Sequence, residues 1–188
     1  MVRARSVGAV AVDPDRVAFR RLTDDDLPML HRWLNEPGIV QWWEGDDVSW
    51  DGVVGQYSAA ATADDSVEHH VVELDGRPVG WIQCWFLADE DEVDGWVERG
   101  FDPATTAGID YLVADPADRG AGLGASMIGA YVERVVFGEH DWIDTAGSDP
   151  DQDNERSWRA LAAARFREVG PLAANGRIYR LMRRDRAE

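Results

Sequence analysis

Apolar and polar side chains alternate along Arg16-Val17-Ala18-Phe19-Arg20-Arg21-Leu22, a period of two that predicts a strand with one buried face. The period then changes. Thr23-Asp24-Asp25-Asp26 offers helix-capping side chains, and Leu27, Leu30, Trp33 and Leu34 recur at helical spacing until Pro37-Gly38, where the helix is expected to end. A second helix is predicted over about Trp50 to Ala61, with acidic Asp64-Asp65 beyond it. His69 to Leu74 and Val79 to Phe86 flank the turn Asp75-Gly76-Arg77-Pro78 and read as a hairpin. Ala88 to Thr106 is rich in acid and glycine and reads as a loop over a pocket. A strand over Gly108 to Val113 follows, then a helix over Gly124 to Val136 with Met127, Ile128, Tyr131, Val132 and Val135 on its apolar side. The pattern closes with a short strand over Trp142 to Thr145, a helix over Asn154 to Arg165, and a hairpin from Phe166 to Val169 and Arg177 to Met182.

The order is β-α-α-β-β-β-α-β-α-β-β, which predicts a mixed α/β domain. A chain of 188 residues suits one such domain, here residues 16–188 behind a tail of residues 1–15. No stretch approaches the roughly 20 apolar residues that span a bilayer, and the first residues lack the apolar block of a signal peptide. A soluble cytoplasmic protein, monomer or homodimer, is the expectation, with no membrane partner.

Charge narrows the partners. Thirty-six acidic residues against 19 basic ones leave a net charge of -17, which argues against nucleic acid and would concentrate cationic ligands, although surface acid also serves solubility alone. The single cysteine, Cys84, excludes an internal disulfide and reads as a small buried hydrophobe in the strand Ile82-Gln83-Cys84-Trp85. His69 and His70 are adjacent strand residues that point to opposite faces, and His31 and His140 lack acidic or cysteine partners at ligand spacing, so no metal is expected.

Arg119-Gly120-Ala121-Gly122-Leu123-Gly124 lies between the strand ending Leu112-Val113 and the following helix. Three glycines within five residues leave successive backbone N–H groups open to a phosphate, and the helix start adds partial positive charge. A Walker A loop would need Gly-Lys-Ser/Thr, and a dinucleotide fingerprint would lie at the first strand; neither pattern is present. A glycine turn needed only for tight helix packing is the competing reading.

In this context the loop resembles the acyl-CoA motif of the GCN5-related N-acetyltransferases. The resemblance implies a central mixed sheet of about seven strands flanked by about four helices, with two strands splayed at the acyl-CoA site. It implies acetyl-CoA as co-substrate, held by Leu112, Val113, Arg119, Gly120, Ala121, Gly122, Leu123, Gly124, Ala125 and Asn154. Trp33-Leu34-Asn35-Glu36, Ile39-Val40-Gln41-Trp42-Trp43, Asp94-Gly95-Trp96 and Gly108-Ile109-Asp110 further resemble the aminoglycoside 6'-N-acetyltransferases.

That branch implies a polycationic amine as the second substrate. Asp110 is the candidate base that accepts the amine's proton, and the backbone N–H near Leu112 is the candidate donor to the thioester carbonyl. Trp42, Trp43, Asp94, Trp96, Glu98 and Asp149 are the candidate amine-binding residues. Trp42 and Trp43 also fit simple packing, and Asp149 also fits a helix cap. The chain departs from the family twice. The helix tyrosine that protonates the leaving thiolate is Leu161 here, leaving Tyr111, water or departure of the thiolate with no acid for that step, and the glycine before Phe166 is Arg165. A siderophore-type lysine N-acyltransferase using a longer acyl-CoA, and a non-catalytic acyl-CoA-binding module, share the same motifs.

Overall fold

The computed structural model describes residues 12–43 and 45–187; most of the expected tail, residues 1–11, lies outside the described residues. β1 (Val17–Arg21) is followed by a 3-10 turn and α1 (Leu27–Leu34), which buries Leu27, Leu30 and Leu34. Thr23 and Asp26 cap each other reciprocally, and Arg20 ties the capping acid to the sheet through Asp26 at 2.6 Å and Glu73 at 2.9 Å. α1 stops at Leu34, ahead of Pro37-Gly38. Pro37 instead opens the short α2 (Pro37–Val40), because its fixed φ and missing N–H suit a first helical position. α3 (Trp50–Tyr57) starts on a Ser49 cap and ends before Ala61, since Ser58 turns extended at ψ 153°.

β2 (Glu68–Leu74) and β3 (Arg77–Phe86) form the hairpin. Its turn is only Asp75-Gly76, both at positive φ (52° and 77°), so Arg77 and Pro78 belong to the strand. The acidic segment that follows is not all loop: α4 (Asp94–Val97) interrupts it. β4 (Thr106–Val113) leads to the glycine turn and α5 (Leu123–Tyr131), which continues through a π-helical turn (Val132–Val136) into α6 (Phe137–Glu139). β5 (Thr145–Ser148) lies later than the strand expected over Trp142 to Thr145, because pairing with β4 begins only at Thr145. α7 (Glu155–Ala163), β6 (Arg167–Ala174) and β7 (Arg177–Asp185) complete the chain.

The seven strands run in the order β1-β2-β3-β4-β5-β7-β6. α5 and α7 cover one face over a core that includes Ile82, Ile109, Met127, Tyr131 and Leu161. α1 and α3 cover the other over Leu30, Val53 and Trp81. Val12 docks on the first face, where its carbonyl accepts from Ser126 Oγ at 2.6 Å.

All neighbours are antiparallel except β4 and β5, which pair only at Thr106↔Thr145, Ala107↔Ala146 and Gly108↔Gly147. Beyond Gly108 the two strands part. The backbone of Ile109–Val113 is therefore left without a neighbour on that side, and this gap positions the site.

Candidate active site

The last paired residues before the gap are both glycine for a steric reason. A Cβ on Gly108 would come within 2.1 Å of the Trp85 ring, and one on Gly147 within 2.2 Å of the Trp96 ring. The two indoles meet edge to face, with centroids 5.5 Å apart. Trp85 Nε1 then donates to Asp110 Oδ2 at 2.9 Å, and Gln83 Nε2 donates to the same oxygen at 2.8 Å. Both donors occupy Oδ2, which leaves Oδ1 for a ligand. Burial raises the pKa of this carboxyl above the ordinary Asp value, and the two hydrogen bonds oppose that rise in part.

Asp110 lies in a cleft of about 740 Å³ that is also lined by Asp46, Asp65, Glu90, Asp149 and Asp151. Asp151 pairs with Arg177 at 2.9 Å. Among the described residues no ion pair engages the other five carboxylates. Burial and the charge of Asp110 push Asp149 up to about 7 and also raise Asp46 and Glu90. Asp149 does not cap the next helix. Asn154 does, accepting from Ser157 N at 3.2 Å, so Asp149 remains in the cleft.

Trp42 and Trp43 line this cleft as well, and Trp43 meets Trp81 edge to face at 6.2 Å. The other three residues expected to bind the amine do not line it. Trp96 is 4% exposed and packs under Trp85 and against Phe101, because Gly147 admits its ring. Asp94 on α4 and Glu98 at its C-cap are exposed, the inward position of the helix is taken by Trp96, and Glu98 lies beside Arg99 at 3.7 Å. Glu90, from the same segment, reaches the cleft instead. Gln83, Trp85 and Glu90 carry no motif signal. Period-two alternation with Asp110's neighbours on the adjacent strand was the only route to the first two.

A second cleft of about 930 Å³ runs from the gap along Leu112, Val113, Gly120, Gly122, Gly124, Ala125 and the near side of α7. Gly120 and Gly122 adopt φ 86° and 83°, the left-handed region that lets the chain turn from β4 into α5. Ala121 faces solvent and Leu123 is buried in the core, so neither side chain lines the cleft. Arg119 lines the cleft and also holds the turn in place. Its guanidinium is folded inward, bonded to Glu36 at 2.6 Å and to the carbonyls of Val113 and Ala114, and the missing side chain of Gly38 makes room for it. Arg119 thus fastens the turn to the end of the α1–α2 segment. The cleft is lined by this inward-folded Arg119 and by the more exposed Arg156 and Arg159 on α7.

The two clefts share Trp42, Trp43, Tyr111, Asn154 and Ser157. At their junction the Tyr111 hydroxyl is 2.7 Å from Ser157 Oγ, and burial holds its pKa above the ordinary phenol value. Leu161 is fully buried on the inner side of α7 and lines neither cleft.

An acidic cleft that opens past shared residues onto a glycine-lined groove beside splayed strands is a two-substrate architecture. The family model described as an acetyltransferase (GNAT) domain matches residues 23–174. The chain belongs to the GNAT acetyltransferase family. This GNAT chain is 34% identical over 160 residues to an aminoglycoside N(6')-acetyltransferase type 1 of Klebsiella pneumoniae, covering 84% of this chain and 77% of that one. It superposes with a TM-score of 0.80 on AAC(6')-Ib in complex with paromomycin and acetyl-CoA, at 32% identity over 92% of this chain and 94% of the other. AAC(6')-Ib in complex with coenzyme A and kanamycin gives 0.78, at 31% identity over 90% and 95% of the two chains. Among the described residues of this GNAT, no helix is long and apolar enough to cross a membrane.

Proposed function

We propose that this GNAT, acting through residues 16–188 as one acyltransferase domain, transfers the acetyl group of acetyl-CoA to the 6'-amine of aminoglycosides and so confers resistance to them. One observation carries the reading: a cleft walled by six carboxylates, five of them without an ion-pair partner among the described residues, meets the glycine-lined groove beside Tyr111. Such a cleft suits a ligand that brings several ammonium groups. The relatives in hand include proteins solved with acetyl-CoA and with paromomycin or kanamycin.

In this reading the backbone amides of Gly120 to Gly124, at the start of α5, receive the CoA pyrophosphate. Arg119 and Arg156, which both line this cleft, supply positive charge beside it. The pantetheine arm lies in the gap along Leu112 and Val113, with Asn154 at its far side, and the carbonyl oxygen meets a strand N–H near Leu112. Asp149, Asp46 and Glu90 hold ammonium groups, while Trp42 and Trp43 supply ring faces for the sugars.

Asp110 Oδ1 takes the proton of the attacking amine directly or through one water, which its raised pKa favours. The amine nitrogen forms its bond to the acyl carbon as the carbon–sulfur bond breaks, and the electron pair leaves on sulfur. Tyr111, at the junction of the clefts, returns a proton to the thiolate. A thiol of pKa roughly 8.5 is already a fair leaving group, so this donor adds less than Asp110.

Mixing the protein with acetyl-CoA and kanamycin or tobramycin is expected to release free CoA thiol, read with a disulfide dye. The product should carry one added acetyl group, on the 6' nitrogen by NMR. Absence of thiol release across an aminoglycoside panel would overturn the assignment. A preference for longer acyl donors with lysine-type amines would replace it with the siderophore-type reaction.

A further inference from the structure

On the α5 face of the sheet, away from Asp110, three side chains of metal-binding type converge from separate parts of the chain. Glu68 begins β2 and Cys84 stands directly opposite it on β3, so the two share one face. His140 follows α6, with its ring fixed edge to face against Phe86 at 5.1 Å and Trp142 at 6.2 Å. Glu68 Oε2 lies 3.4 Å from His140 Nε2 and 3.8 Å from Cys84 Sγ, and all three atoms fall within 4.8 Å of one another.

The Glu68–His140 separation is long for a hydrogen bond, whose N···O distance centres near 2.9 Å. Ligand atoms around a tetrahedral zinc, with bonds of about 2.0–2.3 Å, stand roughly 3.3–3.6 Å apart, a spacing that the 3.4 Å pair meets and that the 3.8 Å pair to Cys84 Sγ would reach by a small side-chain movement.

The surroundings suit an ion. Arg21 engages the other oxygen of Glu68 at 3.0 Å, which orients the carboxylate and leaves Oε2 facing inward. The Tyr131 hydroxyl lies beside Cys84 and 2.9 Å from His70 Nδ1, so a polar group already flanks the thiol. Cys84 itself is fully buried, while the side chains of Glu68 and His140 keep 17% and 15% exposure, so the way in runs past them. The same burial prevents Cys84 from serving as a nucleophile toward either cleft.

We propose that Glu68 Oε2, Cys84 Sγ and His140 Nε2 bind a thiophilic divalent cation, zinc foremost, with water as the fourth ligand. Binding converts the thiol to a thiolate and releases its proton to solvent. The ion ties the open ends of β2 and β3 to the segment after α6. Its role is structural, because the sheet separates it from Asp110. Neither Cys84 nor His140 has a ligand-spaced neighbour in sequence, so only the fold discloses the group.

Cobalt(II) tests the site without reference to acetyl transfer. Cys84 is the only cysteine, so a thiolate-to-cobalt absorption band in the near ultraviolet reports on this site alone. Titrating the tag-free, reduced, chelator-stripped full chain with cobalt(II) is expected to raise that band, together with intense visible bands of tetrahedral cobalt, to one equivalent. One equivalent of zinc should erase them. Cys84→Ser should lose the near-ultraviolet band, and His140→Asn, a change at a partly exposed position that keeps the fold, should weaken cobalt binding at least tenfold. A folded wild-type protein that gives no thiolate band would overturn the proposal, as would a His140→Asn protein with unchanged affinity.

Discussion

Asp110 and Asp149 face one cleft from the two strands that part above Gly108 and Gly147, and the charge of the first helps push the second up to about 7. The folded protein therefore holds Asp149 protonated over a range where the unfolded chain does not. Its contribution to stability is complete below about pH 4 and is lost as pH rises through about 7. The melting temperature of the ligand-free protein, compared with Asp149→Asn, should fall between about pH 4 and pH 8. Aminoglycoside binding should reverse this by favouring the ionised form. Calorimetry near pH 6.5 in buffers of different ionisation enthalpy should then detect proton release from Asp149 that the Asn variant lacks.

Asp110→Asn keeps the hydrogen bonds' geometry but removes the base. The turnover number should drop by about 10²–10⁴, the usual contribution of a positioned general base. Thiol release measures it, and an unchanged circular dichroism spectrum excludes unfolding. Trp96→Phe tests the support beneath it: it should lower turnover less, by loosening Trp85, with little change in aminoglycoside KM.

Tyr111→Phe should lower turnover by about tenfold and leave both KM values near wild type, because a thiolate needs an acid less than an amine needs a base. Restoring the family's tyrosine by Leu161→Tyr should not compensate. Leu161 is fully buried, so the added phenol overpacks the core at a cost of about 1–3 kcal/mol, visible as a lower melting temperature.

The two arginines near the CoA groove should separate. Arg156→Ala is expected to raise the acetyl-CoA KM several-fold, with the loss shrinking as salt screens the phosphate. Arg119→Ala should reduce stability first, since it strands Glu36 and two carbonyls.

Arg165 sits at φ 71° where the family has glycine. Arg165→Gly should stabilise the protein by about 1 kcal/mol, the penalty of a left-handed side-chain residue less the entropy of glycine. Thermal unfolding would register a rise of roughly 2–4 °C.

Most element types and their order were legible because strand alternation, helical spacing and caps are local, whereas the four-residue α2 and α4 are too short to show a period. Thr23–Asp26 and the Asp75-Gly76 turn are examples. Asp110 and the glycine turn were legible through motif context. What escaped depended on depth and direction. Trp96 reads as a ring offered to a ligand until Gly147 is found beneath it. Arg119 reads as a phosphate cation alone until Glu36, distant in sequence, is found beside it and gives it a fastening role as well. Trp85 and Gln83 become visible only when register sets them across from Gly108 and Asp110.

The first four strands and the last three are joined by only three backbone pairs between β4 and β5. In the absence of ligand this is a seam, and amides of Ile109–Val113 on its open side should exchange with deuterium faster than those of β3. A pantetheine arm laid in the gap acts as the missing rungs of the ladder. The co-substrate then does mechanical work as well as chemical: it closes the seam, stiffens the floor under Asp110, and readies the acidic cleft before the amine arrives.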